Sequence, residues 1–185
     1  MRALAEAEGW DAVTMRRVAA ELGATQPVLY SAYAGGRQAL VDSVSVAGFS
    51  AIADALEAVD PEPRARMRAY LEFARNHPRV YEAMFSMPSD LRFGTGTGPE
   101  PLRRAFAAIH AALPGRSAVE AEVAWATVHG LATLEISGRL PAPQAEARLE
   151  YASGLLADEG SGDDRAPVRG RCQAASCDGV PSDPG

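Results

Sequence analysis

Met15, Val18, Ala19 and Leu22 recur at i, i+3, i+4 and i+7, and a glycine, Gly23, follows them at once. That spacing is one face of an α-helix, cut off after about two turns. A second apolar pair, Leu29 and Tyr33, comes after a turn of three or four residues, behind Thr25 and with Pro27 in the first turn, where a missing N–H costs nothing. Helices this short have no stability of their own, so the two must pack on each other at a steep angle. Composition extends the helical expectation to the rest of the chain. There are 37 alanines against 22 Val, Ile and Thr combined, and alanine loses no side-chain entropy in a helix, whereas β-branched residues do. An all-α protein is expected.

The punctuation by Gly and Pro divides the chain into helices at about 2–8, 14–22, 25–33, a long one from 37 to about 59, then 64–76, 78–86, 101–113, 117–138 and 142–157. Leu40, Val44, Ala47, Ala51, Ala55 and Val59 are the expected buried stripe of the long helix. The run 87–99 holds three alternating glycines, but no GK[ST] and no preceding strand, so it reads as a lid or linker rather than a phosphate cradle. The organisation expected is a helix-turn-helix domain at 1–47, a helical-bundle ligand-binding and dimerisation domain at 48–157, and a disordered tail at 158–185.

The net charge of −6 argues at first against nucleic acid. Half of that excess sits in the tail, where six acids from Asp158 onward face three arginines, and the balance on the binding face is what matters. No uninterrupted run approaches the ~18 apolar residues of a membrane span, and no signal segment opens the chain. A cytoplasmic location without a membrane partner is expected. Cys172 and Cys177 lie in the tail with no His nearby, which favours two reduced thiols over a redox pair or a zinc site. No cofactor is expected, and no Ser/His/Asp, Cys/His or metal-ligand set suggests an enzyme.

Packing Leu29 and Tyr33 inward leaves Thr25, Gln26, Val28, Tyr30 and Ser31 outward, a mixed surface suited to base edges and phosphates. Gln can bond bidentately to adenine, Val can touch a thymine methyl, and a Tyr hydroxyl can donate to a phosphate oxygen. The run G-W-D-A-V-T-M-R-R-V-A-A-E-L-G at 9–23, followed by P-V-L-Y at 27–30 and A-L at 39–40, resembles the DNA-binding domain of TetR-type (tetracycline-repressor-like) transcriptional regulators. The resemblance implies that Thr14 caps the second helix against a phosphate, that Thr25, Gln26, Pro27, Val28 and Ser31 face bases, and that Tyr30 holds the backbone. Arg16 and Arg37 are the candidate cations. Three features depart from the family pattern: helix one looks truncated, the turn 34–37 looks one residue long, and 1–47 carries four arginines against five acids.

Farther along, W-A-T-V-H-G-L-A-T-L-E-I at 125–136 has only two ionisable residues, His129 and Glu135. Ala121, Trp125, Val128, Ala132 and Ile136 share one face and Val123, Thr127, Gly130 and Leu134 another, so the helix is expected to be buried on two sides, by its own core and by a partner subunit. The W-x-x-H-G pattern, with the looser run at 76–85, resembles the regulatory domain of one TetR subfamily. Tyr81, Met84, Phe85, Phe106, Trp125 and His129 are candidate effector contacts, against the simpler reading of core packing and a satisfied core histidine. Trp10, in the DNA-binding half, is expected to sense little of that site. The functional expectation is a homodimeric, ligand-responsive regulator, a repressor on a near-palindromic double-stranded DNA operator, released by a mostly apolar small molecule. The alternative is a helical ligand-binding dimer whose DNA-binding domain does not function.

Overall fold

The computed structural model describes residues 1–87 and 98–158. It is 77% helical and contains no strand among the described residues. The helices are α1 (Arg2–Glu8), α2 (Met15–Glu21), α3 (Gln26–Ala32), α4 (Arg37–Glu57), α5 (Pro63–Asn76), α6 (Pro78–Phe85), α7 (Glu100–His110), α8 (Ala118–Ile136) and α9 (Ala145–Asp158), with short 3-10 turns at Trp10–Ala12 and Ala142–Gln144. The proposed lid within 87–99, the tail and its two cysteines fall largely or wholly outside the described residues.

The first three helices form as the apolar spacing requires. Thr14 caps α2, its Oγ1 accepting the Arg17 N–H at 3.2 Å, and Met15, Val18 and Ala19 are buried behind it. Gly23 then turns the chain with φ +63°, a left-handed conformation that costs glycine nothing. Leu22 departs from expectation. It is 64% exposed, because α2 ends at Glu21 and Leu22 lies past the last turn that faces the core. On α3 only Leu29 is buried, with Tyr33 half-buried at its end.

α4 is the spine. It runs along α6 and α7, while α5 lies against α8 and α9 and α7 meets α8 to close the bundle. Its buried residues are Leu40, Val41, Val44, Ser45, Gly48, Phe49, Ile52, Ala53 and Leu56. The expected stripe was therefore drawn partly off the core: Ala47 is exposed and Ala51 and Ala55 only half-buried. Alanine carries too little apolar surface to decide which way a helix rolls when Phe49 and Ile52 compete for the interior. α4 is also long and apolar enough to cross a membrane, contrary to what counting uninterrupted apolar runs suggested, but half of that stretch is buried inside the fold as a core helix is.

α8 starts at a complete capping box. Ser117 Oγ accepts the Glu120 N–H at 3.3 Å, and the Glu120 carboxylate accepts the Ser117 N–H at 2.7 Å. Ala121, Ala124, Val128 and Ala132 are buried against the core. The second apolar face of α8 is open in the single chain: Val119, Val123 and Leu134 are exposed there, as are Tyr151 and Leu155 on α9.

Candidate nucleic-acid interface and effector site

Thr14, Arg16, Thr25, Gln26, Pro27, Val28, Tyr30 and Ser31 are all exposed, and they come from α2, the turn and α3. The fold does this by spending only Leu29 of α3 on the core, which leaves the other sides of a two-turn helix to solvent. With Thr14 Oγ1 occupied as an acceptor, its hydroxyl proton stays free to be donated outward.

The arginines are not equivalent. Arg17 is clamped by the Glu8 carboxylate, with Nη1 donating at 2.7 Å, and lies 3.8 Å from Glu21. Arg37 donates from Nε to the Val13 carbonyl at 3.1 Å and from Nη2 to the Trp10 carbonyl at 2.8 Å, so it braces the turn between α1 and α2. These bonds engage Nε and Nη2 of the side chain expected at a phosphate, and the sequence does not show that two backbone carbonyls lie within its reach. Arg16 alone of the three makes no ion pair or hydrogen bond among the described residues.

In the second half, five of the six candidate effector contacts meet. Phe85 lies 4.5 Å from His129 and 6.0 Å from Trp125 between ring centroids, Tyr81 lies 4.7 Å from Phe85, and Phe106 lies 6.4 Å from Trp125. Met84 faces elsewhere, against Gly48 of α4. A chain of hydrogen bonds threads the cluster. Trp125 Nε1 donates to Tyr70 Oη at 3.1 Å, the Tyr70 and Tyr81 hydroxyls are 3.1 Å apart, and Tyr81 Oη is 2.6 Å from His129 Nδ1. Indole can only donate, so every proton is satisfied when Tyr70 donates to Tyr81 and Tyr81 to a neutral His129. Burial disfavours the imidazolium and lowers the His129 pKa, in agreement with that direction. Burial likewise pushes both tyrosines above their ordinary range.

The two halves are joined through α6. The α6 N-cap residue, His77, supplies no side-chain cap, and Glu6 of α1 does so instead, its carboxylate accepting the Val80 N–H at 3.0 Å and the Arg79 N–H at 3.2 Å. Trp10 Nε1 donates to the Arg79 carbonyl at 2.8 Å. Trp10 is therefore bonded to the helix that carries Tyr81 and Phe85, which revises the expectation that it stands apart from the regulatory half. Glu6 and Tyr70 were not singled out in the sequence, because their partners lie far off along the chain and leave no local spacing.

Comparison with known families bears directly on this arrangement. Residues 2–44 match the model described as bacterial regulatory proteins, tetR family, and residues 64–156, half of the chain, match the tetracyclin repressor-like C-terminal domain. The chain belongs to the TetR family. As a TetR-type protein it is a DNA-binding transcriptional regulator and not an enzyme. Among solved structures, a protein described as regulatory, SCO4313, is similar in fold, with a TM-score of 0.66 at 18% identity over 84% of this chain and 90% of that one. A protein with unknown function from Rhodococcus sp. RHA1 gives 0.58 at 26% identity over 84% and 88%. No curated protein matches the sequence.

Proposed function

We propose that this TetR-type regulator is a homodimeric repressor that binds a near-palindromic operator and is released by a mostly apolar effector. The observation that carries the ligand response is the double role of α6. Its N-terminus is held by Glu6 and Trp10 of the DNA-binding unit, and its inner side supplies Tyr81 and Phe85 to the aromatic cluster. A ligand that favours one packing of that cluster then biases where α1 and the recognition helix sit, by its differential affinity for the two states. Trp125, His129 and Phe106 are the remaining contacts, with Met84 acting through α4.

The open apolar face of α8 and α9 supports the dimer, since apolar surface in such a patch marks an interaction site. Two copies joined there present two α3 helices for half-sites about one DNA turn apart. Gln26, Thr25, Val28, Pro27 and Ser31 read bases, Tyr30, Thr14 and Arg16 hold phosphates, and Arg37 keeps the domain in shape. Domains at 1–47 and 48–157 follow from this division of labour.

Selection of bound sites from random double-stranded DNA tests the reading. Enrichment of an inverted repeat bound by a dimer is expected. Failure to enrich any sequence overturns it in favour of a ligand-binding dimer without an operator. A screen of apolar small molecules, read by Trp125 emission in a Trp10→Phe variant and by DNA release from the unaltered chain, which keeps the Trp10 bond to α6, tests the response; emission changes never accompanied by release would remove it.

A further inference from the structure

Thr14 is exposed at the N-terminus of α2, and the peptide unit it shares with Val13 is held at both ends. The Thr14 N–H donates to the Ala12 carbonyl at 3.1 Å. The Val13 carbonyl precedes the helix and has no place in its hydrogen-bond ladder; it accepts Arg37 Nε at 3.1 Å. Earlier in the same turn, the Trp10 carbonyl accepts both the Val13 N–H at 3.1 Å and Arg37 Nη2 at 2.8 Å. A peptide unit is planar, so fixing its C=O and its N–H fixes how the whole unit is turned. The side chains of Trp10 and Val13 are buried, which sets where the turn sits. The two bonds from Arg37 set which way its carbonyls point.

We infer that Arg37 is a positioning residue for Thr14, fixing the Val13–Thr14 peptide from the first turn of α4 so that the Thr14 hydroxyl offers its proton to a DNA phosphate. It does so in place of a phosphate contact of its own. The Thr14 oxygen already accepts the Arg17 N–H at 3.2 Å, so the direction left to its proton follows from how the turn is held. The guanidinium suits this task, because its rigid fork presents Nε–H and Nη2–H to two acceptors at once, whereas a lysine ammonium is a compact point charge on a flexible stem. Two of the three guanidinium nitrogens are committed to carbonyls that lie 24 and 27 residues back along the chain. Arg16 remains the cation of the proposed phosphate contacts. The placement rests on the proposed phosphate contact of Thr14 and needs neither the effector nor the aromatic cluster.

Fluorescence anisotropy of the whole chain on a mixed-sequence duplex of about 30 base pairs, over a series of salt concentrations, tests the placement, because phosphate contacts do not require the operator. Arg37→Met is expected to bind about tenfold more weakly, the worth of one hydrogen bond to a charged acceptor, with the slope of affinity against salt unchanged. Arg37→Lys should recover no more than part of that loss. Thr14→Ala should weaken binding by a similar factor, and joining it to Arg37→Met should add little, since both remove the same contact; an Arg37 that only stabilised the fold would give additive losses. Should Arg37→Met fail to fold, Arg37→Lys carries the test, with weaker binding at an unchanged slope expected. A slope shallower by about 0.9 per protomer in Arg37→Met, parent affinity in Arg37→Lys, or additive losses with Thr14→Ala each overturns the inference while leaving DNA binding intact. Parent affinity in Thr14→Ala removes the phosphate contact of Thr14 and the inference with it, and a parent that binds no duplex removes the operator reading as well.

Discussion

Gln26 opens α3 and Tyr30 lies one turn later on the same helix, both open to solvent, yet they are expected to fail differently when changed. A bidentate base contact carries about 1–3 kcal/mol of discrimination, whereas a phosphate contact is blind to sequence. Gln26→Ala should relax preference at one operator position, and Tyr30→Phe should weaken every site alike. Arg16→Ala should also weaken all sites and make the salt dependence shallower by roughly one phosphate's worth per protomer. Titrations against single-base operator variants at several salt concentrations separate the three. Gly48 is a different kind of residue, needed for space. A Cβ there would meet Met84 Sδ at 2.6 Å and Val80 Cγ1 at 2.8 Å. Met84 can bend away, but Val80 is stiff at χ1. Gly48→Ala should therefore destabilise by about 1–3 kcal/mol despite the better helix propensity of alanine, as read by denaturant unfolding. Trimming the clash with Val80→Ala in the same chain should recover part of that loss.

Among the elements, α6 has its first turn finished by another part of the fold. Replacing Glu6 with Ala removes the acceptor for two N–H groups of its first turn, at a cost of about 1 kcal/mol. The larger consequence should appear in the ratio of operator affinities with and without effector, which should shrink because α1 then follows α6 less closely. A ratio equal to that of the parent would mean the coupling passes through α4 instead. The start of α8 is finished locally. Ser117 and Arg116 hold the Glu120 carboxyl down to about 2 from its ordinary 4.5, the Ser117 backbone N–H being the leading cause. A carboxyl whose pKa falls on folding adds stability above about pH 4.5 and loses it as the pH drops toward 2. In Ser117→Ala, which loses the hydroxyl but keeps the backbone N–H and Arg116, the Glu120 midpoint followed by NMR should rise only part of the way to 4.5, and α8 should lose about 1 kcal/mol of cap stabilisation.

At the scale of the whole molecule, the proposed dimer rests on the open face of α8 and α9, which would set two α3 helices at a fixed spacing. Val123 is 59% exposed and Tyr151 72% exposed, both too large and apolar to be neutral on a lone surface. Val123→Asp should leave the helical content unchanged by circular dichroism, because the site faces away from the chain's own core, and should yield monomers in sedimentation. Operator affinity should fall by orders of magnitude with the loss of the second half-site. A variant that stays dimeric would place the subunit contact elsewhere.

The helices, their order and most of their ends were legible in the sequence, because apolar spacing, Gly23 and the Thr14 and Ser117 caps act within a turn or two of the chain. The outward side of α3 was legible for the same reason: a two-turn helix that buries Leu29 has few other ways to face. Three things were decided only by tertiary structure. The roll of α4 was set by Phe49 and Ile52 outweighing alanines that a stripe drawn on spacing treats as equals. The task of Arg37 was set by two backbone carbonyls near its end, and the cap of α6 by a carboxylate 74 residues from Val80. Local spacing encodes what a segment forms, whereas hydrogen bonds between distant segments exist only once packing has brought them within about 3 Å.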